Sequence, residues 1–173
     1  MTSASRWTTP VALDKKLHDR EAFDCGNEIL NSWVKRYAAQ SQAADTSRVF
    51  VASPLVERRR IAGIYSLHLG VIERASATTR AGAGSPAALP AVVLGRMAVD
   101  LGFQGLGLGS ALLVDVLRRT LLIAEHAAAK LLLVHAKDEA AKAFYLAHEF
   151  EPSPIDSLTL MLLVQDIRAA AGE

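Results

Sequence analysis

The stretch Leu94–Leu113 reads LGRMAVDLGFQGLGLGSALL, and its reading decides the fold. An apolar run, VVLGRMAV over 92–99, has the β-branched content of a strand. An apolar run from Gly107 to Ala129 has helical length. Between them Gly105, Gly107 and Gly109 alternate with leucine. Glycines at a strand-to-helix turn let backbone close on a phosphate. A Walker loop needs a Gly-Lys pair, and the sequence has none. A dinucleotide loop needs a third glycine where Ser110 stands, and an acidic residue ending the next strand, whereas Glu125 falls on the helix. The pattern [Q/R]xxGx[G/A] is matched by Gln104, Gly107 and Gly109. Amides turning into a helix start, with the positive end of the helix behind them, favour a pyrophosphate. Glycine removes the Cβ atoms that would hold that phosphate away. The competing reading is a plain glycine-rich turn with no ligand.

Working outward, Ile29, Leu30, Trp33, Val34, Tyr37 and Ala38 recur at helical spacing, which predicts one helix over 28–43 with Asn27 as its N-cap. Residues 10–18 make a short start with strand character. SRVFVAS (47–53) and RIAGIYSLHLGVIE (60–73) read as strands joined by a hairpin loop. Residues 74–91 are rich in Ala, Gly, Ser, Thr and Pro and read as a long loop with room for a turn of helix. A strand at 131–136, a helix at 138–149 capped by Asp138, and a strand at 157–164 complete the chain. The expectation is one domain spanning 1–173, of mixed α/β class, with a strand meander followed by β-loop-α and β-α-β.

Composition narrows the function classes. Of 173 residues, 51% are hydrophobic and 21% charged, so the chain is globular rather than disordered. A net charge of +1 excludes a globally basic nucleic-acid binder but leaves room for a local patch. The one cysteine, Cys25, excludes an internal disulfide framework and a cysteine-rich zinc site, and no metal is expected. The N-terminus lacks an apolar signal core, and the apolar region after Leu106 is broken by Asp115, Arg118 and Arg119, so no membrane segment is expected and the chain reads as soluble and cytoplasmic.

With the glycine loop in place, the segment resembles the acetyl-CoA loop of the GNAT acetyltransferase superfamily, and the likeness covers nearly the whole chain. The chain is similar in particular to the TacT-like acetyltransferase toxins of bacterial type II toxin–antitoxin pairs. FDCGNEILNSWV, LGRMAVDLGFQGLGLGSALL and AKAFYLAHEFEPSP carry that likeness. HEF at 148–150 departs from it, because a glycine before the phenylalanine is common there. The resemblance implies the GNAT fold, a mixed, mostly antiparallel sheet splayed open for acetyl-CoA and flanked by helices. It implies that the backbone of Met97, Ala98 and Val99 holds the pantetheine arm. Gln104, Gly105, Leu106, Gly107, Leu108, Gly109 and Ser110 would hold the pyrophosphate, and Ala140 and Phe144 would line the thiol end.

An amine attacking a thioester must arrive neutral, and the leaving thiolate must regain a proton. The resemblance makes Tyr145 that acid; the plainer reading is a tyrosine packed at a helix end with its hydroxyl bonded to backbone. His68 and His135 are candidate bases, or structural histidines. Cys25 has no local histidine signature, which favours direct transfer over a covalent acetyl-enzyme. An α-amine, with a reference pKa of ~7.7–8.0, is partly neutral without a base, unlike a lysine at ~10.4.

The toxin resemblance implies acetylation of the α-amine of aminoacyl-tRNA, a block on translation, and neutralisation by a ribbon-helix-helix antitoxin. Homodimers are common in that family. Lys35, Arg36, Arg58, Arg59 and Arg96 are the candidate tRNA contacts, with Arg60, Arg74 and Arg80 further basic residues. Arg96, on a strand, needs a cleft, a substrate phosphate or a carboxylate partner. The competing functions are an ordinary small-amine or protein N-acetyltransferase, and a non-catalytic GNAT interaction module.

Overall fold

The computed structural model describes residues 6–173; Met1 to Ser5, the start of the stretch read for a signal core, lie outside the described residues. In chain order the elements are β1 (Val11–Ala12), α1 (Glu28–Arg36), α2 (Ala38–Ala43), β2 (Arg48–Ala52) and β3 (Gly63–Glu73), followed by a 3-10 turn (Arg74–Ser76) and α3 (Thr79–Gly82). Then come β4 (Ala88–Val99), a second 3-10 turn (Leu101–Phe103), α4 (Leu108–His126), β5 (Leu131–His135), α5 (Glu139–Ala147), β6 (Glu151–Pro152), β7 (Thr159–Leu163) and α6 (Val164–Ala170). The strand order is β1-β2-β3-β4-β5-β7-β6. β4 and β5 run parallel, while β1/β2, β2/β3, β5/β7 and β6/β7 are antiparallel. No helix among the described residues is long and apolar enough to cross a membrane.

The fold divides into two compact units, and β3 and β4 each give one half to either. The first holds the chain up to Leu67 together with Arg96–Val116. Asn27 caps α1 by accepting from the Leu30 amide at 3.0 Å. Leu30, Val34 and Ala38 recur every four residues and are buried against Val49, Val51 and Ile64. The helix expected over 28–43 is two, α1 and α2, divided at Tyr37, whose φ of −118° is widened from the usual helical value. The bend allows Gln42 to donate to the Leu13 carbonyl at 2.7 Å and accept from the Val49 amide at 3.0 Å, bonds that a straight helix would forgo. Early α4 packs closely on β3. A Cβ added at Gly63 would lie 2.8 Å from Leu112 Cδ1 and 3.1 Å from Leu108 Cδ2.

The second unit holds His68–Gly95 and the chain from Leu117 onward. Its centre is β5, where Leu131 to Val134 are all buried between β4 and β7. Such a continuous apolar run suits a strand covered on both faces. The segment 74–91, expected as a loop with a turn of helix, holds that turn as α3, and the correction is that it also carries a 3-10 turn and the first four residues of β4. Thr78 caps α3 through the Ala81 amide at 3.2 Å, Arg74 donates to the Ser85 carbonyl at 2.8 Å, and β4 begins at Ala88. Arg80 closes a fork on Asp166 of α6. Small residues give no hydrophobic period, yet Ala77 and Ala81 are buried beside Leu89 and Met161. β6 and α6 have no counterpart in the sequence reading.

Asp138 caps α5, accepting from the Ala141 amide at 2.8 Å. Past its C-terminus Glu149 sits at φ +69°, where glycine is favoured, and the Phe150 amide returns to the Tyr145 carbonyl at 3.2 Å. Glu149 therefore carries the steric cost of a Cβ in a left-handed position. Glu149→Gly is expected to raise stability by about 1 kcal/mol in chemical denaturation, since the left-handed penalty of about 1–2 kcal/mol outweighs the entropy glycine adds to the unfolded chain.

Candidate functional site

In the first unit β4 ends at Val99, the turn Leu101–Phe103 follows, and the glycine loop leads into α4, whose 19 residues begin at Leu108. Gly105 and Gly107 have φ of +75° and +85°, and a Cβ at either would meet nothing within 4 Å. Conformation and open space together fit a group pressed against the backbone at a helix start. Leu106 is exposed, Leu108 is buried beneath the loop, and Gly109 and Ser110 are half-buried. The Gln104 side chain is turned inward, donating to the Val99 carbonyl at 2.9 Å and the Cys25 carbonyl at 3.1 Å. Its amide side chain thus holds the loop, and its own backbone is what it can offer a phosphate. Ala98 is buried in the core cluster and Met97 and Val99 are half-buried, so the backbone of β4 is what this strand has to offer an extended ligand.

The basic residues of this unit lie around α1 and the β2–β3 connection. Lys35 and Arg36 end α1; Arg58 and Arg59 are exposed. Arg20, which sequence reasoning passed over, donates to the Lys35 carbonyl at 3.5 Å, while the neighbouring Asp19 amide donates to the Arg59 carbonyl at 2.7 Å. Residues 19–20 thereby tie the arginine turn to the basic end of α1. Arg96 is exposed and makes no ion pair among the described residues; its guanidinium lies 5.9 Å from the Trp33 ring centroid. The expected carboxylate partner is therefore not found among the described residues. Arg60 pairs instead with Asp100 at 3.3 Å.

In the second unit α5 carries Ala140, exposed on its first turn, then Phe144 and Tyr145. Tyr145 is 6% exposed, flanked by Phe144 and Phe150 with ring centroids 5.2 and 5.3 Å away. Burial disfavours the phenolate and pushes its pKa up to about 12. Its hydroxyl has no hydrogen-bond partner among the described residues, so the plainer reading, a hydroxyl bonded to backbone, does not hold. His135 Nδ1 lies 2.9 Å from the Thr159 hydroxyl, which itself donates to Asp156 at 2.8 Å. With its proton committed to Asp156, Thr159 can only accept, which puts the His135 proton on Nδ1. Burial, then the charge of His135, holds the His68 pKa below the usual imidazole range.

The chain is 37% identical, over 155 residues, to the tRNA-acetylating toxin of Mycobacterium tuberculosis (strain ATCC 25618 / H37Rv), covering 90% of this chain and 92% of that protein. The chain belongs to this family of GNAT toxins. No family model matches it. The crystal structure of a tyrosine-to-phenylalanine mutant of KacT superposes with a TM-score of 0.89 at 26% identity, over 96% of this chain and 99% of that one. AtaT in complex with acetyl-methionyl-tRNAfMet shares the fold, with a TM-score of 0.87 at 24% identity over 95% and 99% of the two chains. AtaT has also been solved with the C-terminus of its antitoxin and, as AtaTR, with acetyl-CoA.

Several structural features of this chain escaped the sequence. Asp100 and Asn31 are buried polar residues that bond the FDCG turn, the first to the segment past β4 and the second to α1. Buried Tyr65 of β3 donates to buried Asp115 of α4. Asp115 had a signal, a carboxylate within an otherwise apolar helix face, but its partner lies 50 residues away. Cys25 sits in the FDCG turn, its Sγ 3.7 Å from the Asn27 carbonyl, with no histidine bonded to it. Among the described residues no group of three or more His, Cys, Asp or Glu gathers that could hold a metal ion.

Because the folded pKa of Tyr145 lies above its unfolded value of ~10, its contribution is fully present below pH ~10 and is lost as pH rises towards ~12. Denaturant melts between pH 8 and 11 should show the wild type losing stability through the upper end of that range, with a shallower loss in Tyr145→Phe.

Proposed function

We propose that this chain is a toxin that transfers the acetyl group of acetyl-CoA to the α-amine of an aminoacyl-tRNA, blocking translation in the cytoplasm, and that a cognate ribbon-helix-helix antitoxin neutralises it. The reading rests on membership of the tRNA-acetylating toxin family. The observation that carries the chemistry is Tyr145, a buried phenol whose hydroxyl is uncommitted. The open backbone at Gly105 and Gly107 fits the pyrophosphate of acetyl-CoA, which supplies an activated acetyl group on sulfur. Gln104 to Ser110 would bind the phosphates, Met97 to Val99 the arm, and Ala140 and Phe144 the thiol end.

The protein's work is then to orient, to exclude water and to keep one proton in place. At pH 7 Tyr145 is fully protonated. A phenol near 12 is a poor acid in water, but the burial that disfavours phenolate disfavours a bare thiolate equally. As the amine nitrogen bonds the carbonyl carbon and the carbon–sulfur bond breaks, Tyr145 Oη gives its proton to sulfur, and the proton released from the nitrogen restores the phenol by way of water. The acceptor α-amine, at ~7.7–8.0, supplies a neutral fraction on its own. Lys35, Arg36, Arg58, Arg59 and Arg96 would meet tRNA phosphates, giving binding that weakens with salt. A homodimer, as is common in the family, is the expected assembly.

Purified protein mixed with acetyl-CoA and charged total tRNA should yield nuclease-released aminoacyl-adenosine heavier by one acetyl group in mass spectrometry. Tyr145→Phe should slow this by about 100-fold or more, the scale of a general acid. Binding of acetyl-CoA with no acetylated adenosine would instead place the acceptor among small amines or protein amines. In binding titrations across salt concentration, replacing Lys35 and Arg36 together by alanine should make the slope of log K against log salt shallower by ~0.7–0.9 for every phosphate left un-neutralised.

A further inference from the structure

We infer that the FDCG turn is the back wall of the acetyl-CoA loop, and that Asp100 is a positioning residue that sets acetyl-CoA affinity without touching the ligand. This deepens the proposed function and rests on its acetyl-CoA site. Asp100 is 4% exposed and lies just past β4. A carboxylate so buried is tolerated only when donors surround it. Its Oδ2 accepts from the Asp24 amide at 3.1 Å; its Oδ1 accepts from the Gly102 amide at 2.9 Å and from Arg60 Nη2 at 3.3 Å. The Leu101 amide returns the bond, donating to the Asp24 carbonyl at 2.8 Å. Residue 24 and residues 100–101 are thus clamped in both directions across the fold.

A second tie follows at once. Gln104 donates to the Cys25 carbonyl from one side of the loop and to Val99 on the strand behind it. The wall itself is stiff. Asp24 Oδ1 accepts from the Gly26 amide and from Asn31 Nδ2, each at 2.9 Å, and Asn31 Oδ1 accepts from the Cys25 amide at 2.8 Å. Asn31 belongs to α1, so the turn is anchored to a helix that is itself packed in the core. Gly26 has φ +86°, and a Cβ there would lie 3.3 Å from Leu101 Cδ2. Arg60 covers the remaining side, 4.8 Å from the Phe103 ring centroid.

Fixation runs from Val99 to Gln104 and the open backbone begins at Gly105. The glycines needed for close approach to phosphate are the residues most costly to order. Fixing the chain up to Gln104 before the ligand arrives narrows the conformations open to the glycines beyond it and leaves less entropy to lose on binding. That gives the FDCG turn a function distinct from packing.

Calorimetry of the full chain with acetyl-CoA, without acceptor, provides the test. Asp100→Asn keeps the shape but replaces one acceptor oxygen by a donor, and Gln104→Met keeps the length but removes both ties. Each should weaken acetyl-CoA binding by about tenfold or more and raise KM for acetyl-CoA in step, with kcat changed by less than about threefold. Amide exchange at Gly102–Gly107 should quicken in both variants without ligand. Asp166→Asn, which breaks the Arg80 fork, should lower Tm yet leave the Kd unchanged. A wild-type Kd and wild-type exchange in folded Asp100→Asn overturn the inference, whatever its Tm. Should Asp100→Asn fail to fold, a wild-type Kd in Gln104→Met overturns it instead. If the wild type itself binds no acetyl-CoA, the proposed function falls first and takes the inference with it.

Discussion

The carboxylate of Asp100 is buried, and a buried charge costs several kcal/mol unless donors converge on it. Here the donors come from three places in the sequence: Asp24, Arg60 and the turn at Gly102. Satisfying one carboxylate therefore fixes the end of β4, the FDCG turn and the start of β3's approach in one arrangement. The glycine loop emerges from that arrangement already bent, with helix α4 starting three residues after Gly105.

Two buried tyrosines illustrate how environment assigns roles. Tyr65 is fully buried and its hydroxyl is bonded to Asp115, a pairing that joins β3 to α4 and satisfies both polar groups. Tyr145 is buried between Phe144 and Phe150, and its hydroxyl is left without a partner among the described residues. Its ring is buried while its Oη reaches the surface, so the hydroxyl is not an unsatisfied buried group and its proton is open to an incoming group.

The glycine loop, α1 with its Asn27 cap, α5 with its Asp138 cap and the buried strand β5 were all legible, because each is a local pattern: glycine spacing, hydrophobic period, a capping side chain, an apolar run. In the 74–91 segment a turn of helix was legible but the packing of Ala77 and Ala81 and the early start of β4 were not, because alanine and glycine pack closely without leaving a hydrophobic period. The break at Tyr37 was not, because Gln42 finds its partners near β1 and on β2 rather than along its own helix. Arg96 was recognised as unusual on a strand, yet its neighbour is the face of Trp33 and not a carboxylate.

What the sequence determined by itself is the chemistry on offer: a loop that can close on phosphate, a tyrosine on a late helix, and local basic residues in a chain of near-neutral charge. What only the tertiary structure decided is how those groups are held. The inward turn of Gln104, the clamp at Asp100 and the setting of Tyr145 between Phe144 and Phe150 depend on which distant residues arrive beside them. Hydrogen bonds are short-ranged and directional, so the pattern along a chain cannot specify a partner that folding alone brings within about 3 Å.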